Sequence, residues 1–123
     1  MYPDSKRSLL LIDDDPDMLM ILKLKLTREG FDVKTSENAL NLFDMINAKT
    51  PDLILMDLNM PLVSGDIICR LIRHNKKTED VPVIMFSGNR DIKNISQACG
   101  ASGFINKPCD PSTLKKEIEK YIQ

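Results

Sequence analysis

Short apolar runs recur along this chain at intervals, and between them the apolar residues fall at helical spacing. Leu9-Leu10-Leu11-Ile12, Leu53-Ile54-Leu55-Met56 and Val83-Ile84-Met85-Phe86 are too continuous for strands with one wet face. They suit strands covered on both faces, as in parallel sheets. The pattern predicts strands over 8–12, 31–35, 52–56, 82–86 and 103–106, and helices over 16–29, 37–48, 64–75, 90–99 and 111–122. Strict alternation of strand and helix implies a parallel sheet with crossover helices, and right-handed crossovers restrict its topology. Local chemistry marks several boundaries. Asp15-Pro16 reads as a cap followed by proline at the first helical position, Ser36 before Glu37 as a cap for the second helix, and Gly30 and Gly100 as helix ends.

The residues at the end of each run are more telling than the run itself. The first ends in Asp13-Asp14-Asp15, the third in Asp57, the fourth in Ser87, and the last, Gly103-Phe104-Ile105-Asn106, in Lys107-Pro108. In an open α/β sheet the carboxyl ends of the strands share one edge, where such folds bind ligands. Acids, a hydroxyl and an ammonium therefore converge there.

Bulk properties narrow the rest. A chain of 123 residues has the size of one domain, and a net charge of −1 gives no electrostatic basis for binding nucleic acid or a membrane surface. No apolar stretch approaches a membrane span, and the first residues lack the pattern of a secretory signal. Cys69, Cys99 and Cys109 have no metal-type spacing and are expected as reduced thiols in a cytoplasmic protein, filling space as small hydrophobes. The methionines, Met18 and Met20 among them, are expected mostly as core filler, and the one histidine, His74, as part of a polar helix end.

Gathered carboxylates repel: a like pair near 4 Å costs about 4 kcal/mol at an effective dielectric of about 20. An all-oxygen cluster without His or Cys favours a hard divalent ion, and Mg²⁺ fits better than Ca²⁺ because no EF-hand-type loop is present. A carboxylate beside such a metal can attack phosphorus, while an ammonium and a hydroxyl neutralise the transferring group. That is the outline of a metal-assisted phosphoryl-transfer site.

Taken together, Ile12-Asp13-Asp14-Asp15, Asp57-Leu58-Asn59-Met60-Pro61 with Gly65, Ser87-Gly88 and Asn106-Lys107-Pro108 resemble a response-regulator receiver domain of two-component signalling, over essentially the whole chain. The resemblance implies a doubly wound, flavodoxin-like (βα)5 fold with strand order 2-1-3-4-5. It implies Asp57 as phosphoacceptor, and Mg²⁺ held by Asp13, Asp14, Asp57 and the backbone carbonyl of Asn59. Lys107 would contact the phosphoryl group, with a cis peptide to Pro108. Ser87 and Phe104 would form the switch, although a phenylalanine at 104 offers ring packing without the hydroxyl of a tyrosine. The implied donor is a histidine kinase or histidine-phosphotransfer protein, and the implied output is a protein target meeting the fourth helix, fifth strand and fifth helix.

Within the acidic triplet, Asp15 is expected only to cap the first helix. In that helix Met18, Ile21, Leu22 and Leu26 suffice for the core, leaving Leu19, Met20 and Leu24 as surplus apolar surface for docking the donor. Two other functions share some of these features. A phosphatase of the haloacid-dehalogenase type uses the same residue types but places its nucleophile on the first strand and needs a cap. A receiver-like binding module could dispense with phosphate, at odds with every acceptor, metal and lysine position being filled. The start at Met1 and short tail suggest a stand-alone regulator of one domain, 1–123, without an output domain.

Overall fold

The computed structural model describes residues 6–122. Five strands, β1 (Ser8–Ile12), β2 (Asp32–Ser36), β3 (Leu53–Asp57), β4 (Val83–Ser87) and β5 (Gly103–Asn106), alternate with five helices. The helices are α1 (Pro16–Arg28), α2 (Leu42–Ala48), α3 (Gly65–Arg73), α4 (Ile92–Cys99) and α5 (Pro111–Glu119). All strand pairs are parallel and the order is β2-β1-β3-β4-β5. Both the fold class and the strand order agree with the sequence reading.

The two-sided burial of the strands explains their continuous apolar runs. Successive side chains of a strand point to opposite faces, so Leu9, Leu11, Leu53, Leu55, Ile84 and Phe86 pack with Leu19, Leu22 and Leu26 of α1 and Leu114 and Ile118 of α5. The alternate residues Leu10, Ile12, Ile54, Met56, Val83 and Met85 pack with Leu42 and Ile46 of α2, Ile68, Cys69 and Ile72 of α3, and Ile92 and Cys99 of α4. Two cores, one on each face, hold the middle strands fixed between helices.

Helix ends follow local chemistry in most cases. The Asp15 carboxylate accepts from the backbone N–H of Asp17 (3.1 Å) and Met18 (3.2 Å), ahead of Pro16 at the first helical position. Gly30 and Gly100 take the left-handed conformation after α1 and α4. If Asp15 is only a cap, Asp15→Ala lowers stability by about 1 kcal/mol and leaves phosphoryl uptake unchanged. Thermal melts and labelling on the same sample check both halves.

Three expectations need correction. The second helix begins at Leu42, not 37: Ser36 donates its hydroxyl to the Asn38 carbonyl (2.7 Å) in a local turn, and so does not cap a helix. The second, third and fourth strands run one residue later than predicted, so Asp57 and Ser87 are terminal strand residues. The buried face of α1 is rotated from the expected one. Leu19 is buried with Leu22 and Leu26, at i, i+3 and i+7, whereas Ile21 is 55% exposed beside Met20 and Leu24. Leu19 is therefore core, and Met20, at 62% exposure, is not filler.

Candidate phosphoryl-transfer site

Four strand ends build the site. Asp13 directly follows β1 and is held by two backbone contacts: its N–H donates to the Ser36 carbonyl (3.2 Å), and its carboxylate accepts from Asp15 N–H (3.0 Å). Asp57 ends β3, next to Phe86 in register, and accepts from Asn59 N–H at 3.4 Å. Ser87 ends β4 and its hydroxyl oxygen accepts from Asn89 N–H at 3.0 Å. Lys107 follows β5, joined to Pro108 by a cis peptide as the resemblance implied.

Lys107 Nζ lies 2.8 Å from Asp13 Oδ2 and 3.3 Å from Asp57 Oδ1, and 5.0 Å from the Phe86 ring centroid. One ammonium thus joins carboxylates that are 94 and 50 residues away from it along the chain. Asp13 and Asp57 are almost fully buried, at 2% and 4% exposure, whereas Asp14 faces solvent. Burial raises both Asp13 and Asp57 above the ordinary carboxylate value. For Asp57 the neighbouring Asp13 charge adds to the rise, and Lys107 offsets part of it in both cases. For Lys107 burial alone pulls downward, but the two carboxylates together outweigh it and lift the ammonium above its usual value.

The donor set suits a divalent cation. Asp13, Asp14 and Asp57 each offer a carboxylate oxygen, and these lie within 4.8 Å of one another. All are hard oxygen ligands, and one lysine leaves the two buried acids with excess negative charge, which a small hard cation would neutralise.

Lys107→Met removes the cation that, among the described residues, pairs with both buried acids, and is expected to cost about 3 kcal/mol in magnesium-free buffer at neutral pH. The sign of the pH dependence comes from the raised carboxylates. Between the unfolded value near 3.8 and the raised folded values the native state binds more protons, so stability falls as pH rises through that window. Without Lys107 the window extends upward and the fall becomes steeper. Equal denaturation midpoints for variant and wild type across that range would show that the lysine does not neutralise the acids.

The other sequence candidates sort clearly. Phe104 is half-buried and pairs with Met85 in register, two positions before Ser87 meets Asn106. It lines a cavity of about 380 Å³ together with Asn106, Cys109 and Thr113. His74 terminates α3 with Nδ1 2.7 Å from the Arg70 carbonyl and takes no part in the site. Cys69 and Cys99 are buried; burial and the neighbouring Cys99 push the Cys69 thiol up to about 12, so it stays protonated.

Sequence reasoning missed Leu62, whose φ of 73° places a bulky side chain in left-handed backbone, with Val63 N–H donating to the Pro61 carbonyl at 2.8 Å. Such a tight turn normally calls for glycine or asparagine, so the residue type hid it.

Residues 9–119 match the family model of the response regulator receiver domain. The chain belongs to that family. It is 32% identical over 117 residues to the "DNA-binding dual master transcriptional regulator RpaA" of Synechocystis, covering 94% of this chain and 48% of that protein. It is 31% identical to a probable transcriptional regulator, ycf27, of Guillardia theta, covering 98% of this chain and 47% of that one. The chain therefore spans about half the length of these curated relatives. Among solved structures, the chemotaxis protein CheY4 of Vibrio cholerae superposes with a TM-score of 0.90 at 23% identity, covering 96% of this chain and 100% of that one, a likeness of fold. A CheY-like receiver domain protein of Methanospirillum hungatei gives 0.85 at 26% identity, covering 94% and 93%. The receiver family is a signalling switch of two-component systems. Among the described residues, no helix is long and apolar enough to cross a membrane.

Proposed function

We propose that this receiver is a phosphorylation-dependent switch in which Asp57 accepts a phosphoryl group from a phosphohistidine of a histidine kinase or phosphotransfer protein. The observation that carries this reading is the ammonium of Lys107 shared between Asp13 and Asp57. A carboxylate oxygen of Asp57 forms the new bond to phosphorus as the phosphorus–nitrogen bond breaks and the imidazole leaves. Asp13, Asp14, Asp57 and the Asn59 carbonyl are the proposed ligands of Mg²⁺. When bound, the metal supplies positive charge for the oxygens of the transferring group. Lys107 neutralises a further oxygen, for which it gives up part of its contact with Asp57.

Ser87 is the proposed sensor. Its hydroxyl oxygen now receives Asn89 N–H, and turning the hydroxyl toward an aspartyl phosphate weakens that bond. Phe104 then repacks by shape alone, and the α4–β5–α5 face changes for a downstream protein target. Energetically, phosphate selects one of two arrangements through its differential contacts. The free thiols accord with a cytoplasmic setting.

The test is incubation with acetyl phosphate, with and without Mg²⁺, followed by mapping of the label. One phosphoryl group per chain on Asp57, formed only with the metal, supports the reading; a label elsewhere, or none, ends it.

Donor docking falls on the exposed α1 face, which comprises Met20, Ile21 and Leu24 and excludes Leu19. Leu24→Glu is expected to slow transfer from a cognate donor by about tenfold, because a charge then replaces an apolar contact, while uptake from acetyl phosphate is unaffected. Equal donor rates would remove Leu24 from the interface.

A further inference from the structure

The two ends of α4 are anchored in opposite ways. At its carboxyl end stands Arg73, the last residue of α3, whose guanidinium reaches the two loops that lead into β4 and β5. Nε donates to the Gly100 carbonyl (2.7 Å), Nη1 to those of Val81 (2.6 Å) and Glu79 (3.2 Å), and Nη2 to the Ser102 hydroxyl (3.1 Å). Gly100 sits in left-handed backbone with its α-carbon against the Arg73 side chain: a Cβ there would lie 3.2 Å from Arg73 Cγ. Ser102 passes the connection on to the sheet, its hydroxyl accepting from Val83 N–H (3.3 Å) while its own N–H donates to the Val83 carbonyl (2.8 Å). A planar fork of five N–H donors is the side chain that can serve four acceptors at once.

Among the described residues no such hydrogen-bonded cross-link holds the amino end of α4, where the Ile92 side chain is seated by apolar packing alone. Residues 88–91 are exposed, and Asp91 makes no side-chain capping bond to the helix backbone. The hydrogen bonds recorded there are internal to the segment: Asp91 N–H to Asn89 Oδ1 (2.8 Å), Asn94 Nδ2 to Asp91 Oδ1 (2.7 Å) and Ile92 N–H to the Asn89 carbonyl (3.2 Å). The exception is Asn89 N–H, which donates to the hydroxyl of Ser87.

We infer that Arg73 pins the carboxyl end of α4 as a fixed pivot, so that a displacement starting at Ser87 swings only the amino end of the helix. Arg73 is a positioning residue: it touches neither Asp57 nor the metal-ligand candidates, and it decides which part of the output face moves. The swing rests on the switch proposed above; the pinning does not.

Amide hydrogen exchange on the whole chain separates the two. Without any phosphoryl mimic, Arg73→Gln is expected to speed exchange at residues 97–102 about tenfold and leave β1 and β3 unchanged. A change within about twofold overturns the pin. Should that variant not fold, Ser102→Ala removes one arm of the clamp, and exchange at 100–103 is expected to rise about threefold; no rise there overturns the pin equally.

With beryllofluoride and Mg²⁺, wild type is expected to change exchange at 88–94 and not at 97–102, and Arg73→Gln to spread the response along all of α4. A wild-type response spread evenly over the helix, or a variant response still confined to 88–94, overturns the pivot. A purely structural arginine would lower stability without redistributing the response. If beryllofluoride fails to bind wild type, the acceptor assignment fails, while the mimic-free comparison still decides whether Arg73 pins the helix.

Discussion

Asp57→Ala is expected to reduce phosphoryl uptake from acetyl phosphate or a cognate donor to background while making the metal-free protein more stable. The first effect arises from removing the one buried carboxylate that ends the central strand β3 beside Lys107. Asp13 is a poor replacement because its carboxylate is held more tightly, by Asp15 N–H at 3.0 Å and Lys107 at 2.8 Å, against 3.4 and 3.3 Å for the corresponding contacts of Asp57. The second effect comes from electrostatics. Asp57 is raised by burial and by Asp13, so above its folded pKa its charge opposes folding. Removing it leaves the short Asp13–Lys107 pair undivided, with an expected gain of about 1 kcal/mol at neutral pH. The gain should vanish as pH falls toward the unfolded carboxylate range, where wild-type Asp57 is protonated too. Intact-mass labelling and denaturation at several pH values measure both, and stoichiometric labelling of the alanine variant would refute the acceptor assignment.

Gly65→Ala is expected to be nearly as damaging, from a residue that carries no functional group. A Cβ on Gly65 would collide with the backbone carbonyl oxygen of Asp57 and come within 2.9 Å of Met56 Cγ. The obstruction is main chain at the end of the central strand, and it cannot turn aside as a side-chain tip would. Relief requires moving the first turn of α3 or the end of β3, at a cost of about 3 kcal/mol, the upper range for overpacking. Because the end of β3 carries the proposed acceptor, uptake should also slow by about a hundredfold, the order of loss a misplacement near 1 Å produces. Gly88→Ala provides the contrast: the nearest atom to its Cβ would be the Lys107 carbonyl oxygen at 3.7 Å, an ordinary contact. Stability and labelling close to wild type for Gly88→Ala, with both lost for Gly65→Ala, would establish that steric closeness rather than glycine content matters. Comparable behaviour of the two variants would contradict it.

The sheet was legible because its signal is collective. Each strand shows a run too apolar for a solvent-facing sheet, and the carboxyl-end rule then brings Asp13, Asp57, Ser87 and Lys107 to one edge without a single contact being known. Features that depend on phase or on one backbone angle were not. In α1 every position from Met18 to Leu26 other than Lys23 and Lys25 is apolar, so periodicity could not separate Leu19 from Ile21; only the packing against Leu11, Leu55 and Phe86 does. At the start of α2, Ser36 and Glu37 imitate a cap, but the serine hydroxyl turns to Asn38 instead. Leu62 gives no hint of left-handed backbone. Arg73 reads as one more cation near a helix end, since three of its four acceptors are carbonyls, which any residue could supply.

β3 lies between β1 and β4 and is hydrogen-bonded along both flanks. The main chain beneath Asp57 is therefore a stationary platform, and the proposed covalent event on its carboxylate would have no strand to push. News of that event leaves through side chains and loops at the rim, where little apolar area is at stake. Substitutions in the two cores should change how long a molecule persists, and those on the rim how long each message lasts, so selection can adjust durability and timing separately.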